Sequence, residues 1–185
     1  MEDSSLILAS RNLTTLPTSW SDQGELSDTS KVRVVDVSYN LLVNVEGIGV
    51  FEGVEELVLD NNRLSSLTLP RLPALRTLCL NNNNLSDLVQ VLDNLELSAP
   101  RLSYLSLLRN PLCPDELCPA RSRRDNGIVP DTQADYQAYR YEVLRRISTL
   151  KFLDSRAVNE EERAFLEKER TGGGEQRPRK WFTWR

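Results

Sequence analysis

At 185 residues, with 39% hydrophobic and 27% charged side chains, the chain has the composition of one folded domain with short appendages. It contains no histidine, which removes the commonest general base and metal ligand, and its three irregularly spaced cysteines make no disulfide framework. The net charge of −4 is uneven: residues 1–112 carry 8 basic against 14 acidic side chains and residues 113–185 carry 15 against 13, so the acidic first part is a poor footprint for nucleic acid.

The start, Met1-Glu-Asp-Ser-Ser5, is acidic, and the apolar run Leu6–Ala9 is too short for a secretory leader. No stretch approaches the length of a membrane span. The expectation is a cytoplasmic chain, with the nucleus as the alternative. From Leu6 the sequence enters a repeated phrase. A degenerate copy, Leu6-x-Leu8-x-x-Arg11-x-Leu13, is followed by Val32-x-x-Val35-x-Val37-x-x-Asn40-x-Leu42. Then come Val54-x-x-Leu57-x-Leu59-x-x-Asn62-x-Leu64, Leu75-x-x-Leu78-x-Leu80-x-x-Asn83-x-Leu85 and Leu102-x-x-Leu105-x-Leu107-x-x-Asn110-x-Leu112. Alternating apolar residues predict a short strand with one buried face. The asparagine falls where the chain must leave the strand, and its amide can bond backbone groups that the turn leaves unpaired. The strand leucine recurs at intervals of 22, 21 and 27 residues. Such a unit cannot bury its apolar face alone, so the copies must stack.

Between the first two copies, Thr18 to Lys31 reads as an outsized loop, with Trp20 covering the end of the first repeat. Within Asn81-Asn-Asn-Asn84 only Asn83 takes the structural slot. Leu88, Val91, Leu92 and Leu95 at helical spacing predict a short amphipathic helix over Asp87–Leu97, which accounts for the longest interval. The repeats therefore occupy residues 1–112. Residues 113–131, with three prolines and Arg121-Ser-Arg-Arg124, form a polar insertion. A helix begins near Thr132 with Tyr136, Tyr139, Val143, Leu144 and Ile147 on one face. Leu150-Lys-Phe-Leu153-Asp154 reads as one more half-repeat strand. Asn159 with Glu162 makes a capped helix start.

This pattern resembles the short-repeat leucine-rich-repeat proteins, over about Leu6 to Arg163. The resemblance implies an α/β solenoid: a curved parallel sheet on the concave face, with loops and short helices on the convex face. The stretch Tyr139 to Val158 is similar to the helical C-terminal cap of one subgroup, which includes a spliceosomal ribonucleoprotein subunit and axonemal and acidic nuclear proteins. Residues 132–170 are assigned to that cap, with Tyr136, Tyr139, Arg140, Leu144, Leu153 and Asp154 as its residues. Ser148 stands where that cap usually has proline. The phrases Tyr104-Leu-Ser-Leu-Leu108-Arg-Asn110, Cys113-Pro-Asp-Glu-Leu117, Asp135-Tyr136 and Leu150–Asp154 resemble a branch of this subgroup associated with melanocyte differentiation. That resemblance implies a link between a Rab-type small GTPase and membrane-trafficking or organelle-biogenesis machinery. The spliceosomal resemblance implies the alternative, a nuclear subunit gripping an RNA-binding domain.

The residues carry no catalytic constellation. Cys113 and Cys118 would need carboxylates to hold zinc and read as ordinary thiols, and Gly172-Gly-Gly174 precedes neither strand nor helix. The expectation is a monomeric, non-catalytic adaptor without cofactor or metal. Alternation assigns outward columns Ser5, Val34, Glu56, Thr77, Tyr104 and Ile7, Asp36, Val58, Cys79, Ser106. Beyond them lie Ser38, Asp60, Asn81, Leu108 and Tyr39, Asn61, Asn82, Arg109. Acidic Asp36, Glu56 and Asp60 among Val34, Val58, Tyr39, Tyr104 and Leu108 have the character of a protein interface. Asn40, Asn62, Asn83 and Asn110 are structural. The tail, residues 171–185, is expected to be disordered. Its Trp181, Phe182 and Trp184, set among Arg and Lys, suit a partner groove, an anionic membrane surface or this protein's own convex side.

Overall fold

A computed structural model describes residues 4–17, 20, 28–114 and 133–171. Among these residues the strands follow chain order in one sheet: β1 (Ser4–Ile7), β2 (Val32–Asp36), β3 (Glu56–Val58), β4 (Thr77–Cys79), β5 (Tyr104–Ser106), β6 (Phe152–Leu153) and β7 (Arg156–Ala157). The first six are parallel, and β7 returns antiparallel on β6. Val35, Leu57, Leu78, Leu105 and Leu153 fall in one register row, each with 0% exposure. Each repeat therefore buries its strand leucine against its neighbours, as the spacing requires.

The asparagines join the repeats. The Asn83 Oδ1 accepts from Leu64 N at 3.1 Å, while its Nδ2 donates to Leu59 O at 3.0 Å and Leu80 O at 3.1 Å. Asn62 does the same for Leu42 N, Val37 O and Leu59 O, and Asn110 for Leu85 N, Leu80 O and Leu107 O. Asn40 accepts from both Leu13 N and Arg11 N, so the first repeat borrows the second repeat's amide and tolerates arginine in its own slot. Each amide thus satisfies backbone groups of two adjacent repeats in a buried place where water cannot.

On the other side of the core lies helix α1 (Leu88–Ser98), whose N-cap Asp87 accepts from Gln90 N at 3.0 Å. Val91, Leu92 and Leu95 are buried. Gln90 and Asn94 reach back to Leu67 N and Leu69 N, satisfying an irregular stretch that has no partner strand. Trp20 is buried, its ring 5.2 Å from that of Phe51. Its Nε1 donates to Gly47 O at 3.4 Å. Gly47 is required by contact: a Cβ there would lie 2.5 Å from Pro17 O.

After the repeats, Cys113 and Pro114 are buried, so they belong to the core and not to the polar insertion expected from residue 113; Cys113 N donates to Asn110 O at 3.0 Å and closes the last turn. The rest of that insertion, Cys118 included, lies outside the described residues. Helices α2 (Gln133–Arg146) and α3 (Glu160–Thr171) form the cap. Tyr136, Tyr139, Arg140, Leu144, Leu153 and Asp154 are all buried there. The Arg140 Nε donates to Glu162 Oε1 at 2.7 Å, Nη2 to Oε2 at 3.1 Å and Nη1 to Leu153 O at 3.0 Å. Burial pushes the Glu162 carboxyl up, but the bonds from Arg140 and from Asn159 N outweigh it and hold it below its ordinary range. Asn159 and Glu162 exchange bonds at 3.0 and 2.8 Å, a capping box.

The sequence pattern places Asp154 in the cap but does not announce its role there. Asp154 takes over the asparagine's duty where the repeats end, accepting from Leu107 N at 2.9 Å and from the Tyr136 hydroxyl at 3.0 Å. Its φ of 58° matches the left-handed residues of the repeats. Burial raises its carboxyl above the ordinary range, against the pull of those hydrogen bonds.

The amide ladder predicts a sharp contrast inside the asparagine run. Asn83→Ala leaves Leu64 N and two carbonyls without their side-chain partner and should cost about 3–5 kcal/mol in urea denaturation. Asn83→Asp should cost a similar amount, because a carboxylate cannot donate to those carbonyls. Exposed Asn84→Ala should stay within about 0.5 kcal/mol. Equal effects at 83 and 84 would contradict the ladder.

Candidate functional site

The open sheet face is set by strand register. Val34, Glu56, Thr77, Tyr104 and Phe152 form one row, and Asp36, Val58, Cys79 and Ser106 the next. Past the strand ends follow Ser38, Asp60, Asn81 and Leu108, then Tyr39, Asn61, Asn82 and Arg109. The last four have φ of 53°, 57°, 53° and 59°. This left-handed turn is how the backbone presents its amide to the neighbouring repeat: Tyr39 N donates to Asp60 O at 2.9 Å and Asn82 N to Leu108 O at 2.9 Å.

Tyr39 and Glu56 are exposed, while Val34, Asp36, Val58, Asp60, Cys79, Asn81, Tyr104 and Leu108 are half-buried. Arg109 is exposed at the margin. Two outward assignments need correction: Ser106 and Ser38 are buried, at 2% and 6% exposure. Small side chains there sink beneath larger neighbours. The Ser106 hydroxyl donates to Asn81 Oδ1 at 2.6 Å, and Ser38 N donates to Asp36 Oδ1 at 2.9 Å.

Alternation within the repeats left out Phe152. It sits on β6, 47% exposed, with its ring centroid 6.2 Å from that of Tyr104. Extending the outward columns into the half-repeat Leu150–Asp154 would have found it. The face thus ends in an aromatic pair against the cap. Trp181, Phe182 and Trp184 lie outside the described residues.

Of the carboxylates, Asp36 and Asp60 are half-buried and Glu56 is exposed. Asn81 N donates to Asp60 Oδ1 at 2.7 Å and its Nδ2 to Asp60 Oδ2 at 3.1 Å. Burial nevertheless raises the Asp60 carboxyl, the Asn81 bonds oppose this, and the charge of Asp36 adds to it. The Cys79 thiol is pushed up to about 12 by burial and then by Asp60, Glu56 and Asp36. One edge of the face is basic: Arg33 and Arg76 flank Glu55 at 3.9 and 3.7 Å. Among the described residues no three His, Cys, Asp or Glu side chains gather to hold a metal ion.

A parallel sheet built one strand per repeat, stitched by a buried asparagine and closed by a helical cap, is a leucine-rich-repeat solenoid, and the open face is its concave side. By its fold the chain is a leucine-rich-repeat protein with a helical C-terminal cap. It is homologous to the leucine-rich melanocyte differentiation-associated protein of Homo sapiens, with 44% identity over 121 residues, or 65% of this chain and 57% of that protein. U2 small nuclear ribonucleoprotein A' of Arabidopsis thaliana is 32% identical over 134 residues, covering 70% of this chain and 44% of that one. A chain in the crystal structure of the Drosophila melanogaster SNF/U2A' complex shares the fold, with a TM-score of 0.61 at 21% identity, over 89% of this chain and 79% of its own length. No family model matches the chain. The chain spans about half the length of the curated relatives it matches.

Half-buried among carboxylates, Cys79 should be a poor nucleophile. Its alkylation by iodoacetamide, followed by peptide mass spectrometry, should rise steadily from about pH 7 to 10 without a plateau, whereas in urea the midpoint should fall near the ordinary thiol value of about 8.5. A midpoint at or below about 9 in the folded protein would contradict the described environment.

Proposed function

We propose that the chain is a non-catalytic interaction scaffold whose concave face holds a protein partner presenting basic and apolar side chains. The observation that carries this reading is the face itself. Asp36, Glu56 and Asp60 form an acidic strip between Tyr39 on one side and the Tyr104–Phe152 pair on the other, all on a rigid sheet. Aromatic side chains beside desolvated charge are the groups that dominate binding energy at protein interfaces. The half-buried Asp36 and Asp60 make no ion pair among the described residues and are poised to gain from a cation arriving on a partner.

Two partner classes fit. The first is a Rab-type small GTPase or trafficking complex, met at cytoplasmic membranes; it rests on the melanocyte resemblance alone. The second is an RNA-binding domain in a nuclear complex, favoured by a relative named as a small nuclear ribonucleoprotein and by a fold neighbour solved in the SNF/U2A' complex. In either reading the chain acts as a monomer, without cofactor and without touching nucleic acid itself. No helix among the described residues is long and apolar enough to cross a membrane.

The test is a paired capture from cell lysate with the intact chain and with Asp36→Arg, Glu56→Arg and Asp60→Arg combined, circular dichroism confirming that both fold. A partner should be lost by about tenfold or more, as expected when three favourable charge contacts reverse sign. Its identity then selects between the two classes. A partner list unchanged by the triple reversal would overturn the concave-face assignment.

A further inference from the structure

Beyond the acidic strip, the concave face has a second property: its charged and aromatic parts are a fixed distance apart. Glu56 and Asp60 belong to the β3 repeat and the Tyr104–Phe152 pair to β5 and β6. Strands lie about 4.8 Å apart, so the strip and the far ring are separated by three spacings, about 14 Å. The chain carries one segment with the complementary pattern, Arg177-Pro-Arg-Lys-Trp181-Phe182-Thr-Trp184-Arg185. Residues 172–185 hold four basic side chains against one acidic. In an extended segment Lys180, Phe182 and Trp184 project to one side, and Lys180 to Trp184 spans about 13 Å. That set matches one register row of the face: Glu56 at β3, the half-buried Thr77 at β4 and the aromatic pair at β5–β6.

We infer that the concave face takes this chain's own basic-aromatic segment, Lys180 on the Glu56 carboxylate of the acidic strip and Trp184 against Tyr104 and Phe152, in competition with the outside partner. Lys180 lies nine residues beyond Thr171, the end of α3, a reach of up to about 30 Å of chain. Charge pairs and ring stacking supply the same contacts that a partner would. Since Lys180 sits on the strip that a partner must use, the segment lowers partner affinity by the fraction of molecules in which the face is covered. The competitive part rests on the scaffold reading; the contact itself does not.

Zero-length carbodiimide coupling on the full chain tests the contact. Lys180 should be joined to Asp36, Glu56 or Asp60 in peptides from the monomer band, and the yield should collapse at about 0.5 M salt, where exposed charges are screened. Lys180 joined only to carboxylates of α3, joined to nothing, or joined to the strip only in a dimer band would overturn it. The full chain carrying Lys180→Glu, Phe182→Ser and Trp184→Ser separates the two claims. Its capture of the outside partner should rise about threefold, the factor expected when about two thirds of the molecules are covered. Lys180 coupling in the unaltered chain together with equal capture by the unaltered chain and the variant would uphold the contact and overturn the competition.

Discussion

Everything on the concave face depends on a buried amide. A parallel strand of three residues ends in backbone groups that the next turn cannot pair. Asn40, Asn62, Asn83 and Asn110 each supply an acceptor to the repeat before and donors to two carbonyls, one in each repeat. A single residue type therefore fixes both the turn and the spacing between repeats. Aspartate could accept but not donate, and glutamine would be a methylene too long. The leucines provide most of the free energy by burial. The amides choose which of many leucine-rich arrangements forms.

That constraint also shapes the surface. To aim the amide inward, the preceding residue turns left-handed, a conformation that costs non-glycine residues about 1–2 kcal/mol. Tyr39, Asn61, Asn82 and Arg109 all accept it. Their side chains are thereby placed in a row, and the Asn82 Nδ2 donates to Asn61 Oδ1 at 2.5 Å. The acidic strip sits beside this row, held by the bond between Asp60 and Asn81. The face is thus held for reasons that lie beneath it, and the proposed partner would meet a preformed surface.

The repeat register, the helix over Leu88–Ser98, the cap helices and the buried asparagines were legible because each leaves a local periodic mark. Arg11 in the first asparagine slot looked like decay, and is instead served by Asn40. What escaped was non-local. Asp154 does the work of a rung without matching the repeat, because only the contact with Leu107, 47 residues away, reveals it. The outward columns stopped at the last full repeat and were not carried into the half-repeat Leu150–Asp154, so Phe152 was left out of the face. Alternation also says which way a side chain points and not how far it reaches, so Ser38 and Ser106 were placed outside when larger neighbours cover them.

The central claim is that repeats and cap form one stack, with Asp154 continuing what the asparagines begin. Native-state hydrogen exchange of the full chain across a urea series reads this directly. The amides of Leu42, Leu64 and Leu85, each bonded to an asparagine Oδ1, and that of Leu107, bonded to Asp154, should exchange through one global opening with a shared free energy and urea dependence. If Leu107 and helix α2 open together at lower free energy while the other three stay protected, the cap is a separate unit. The concave face would then end at β5, without Phe152.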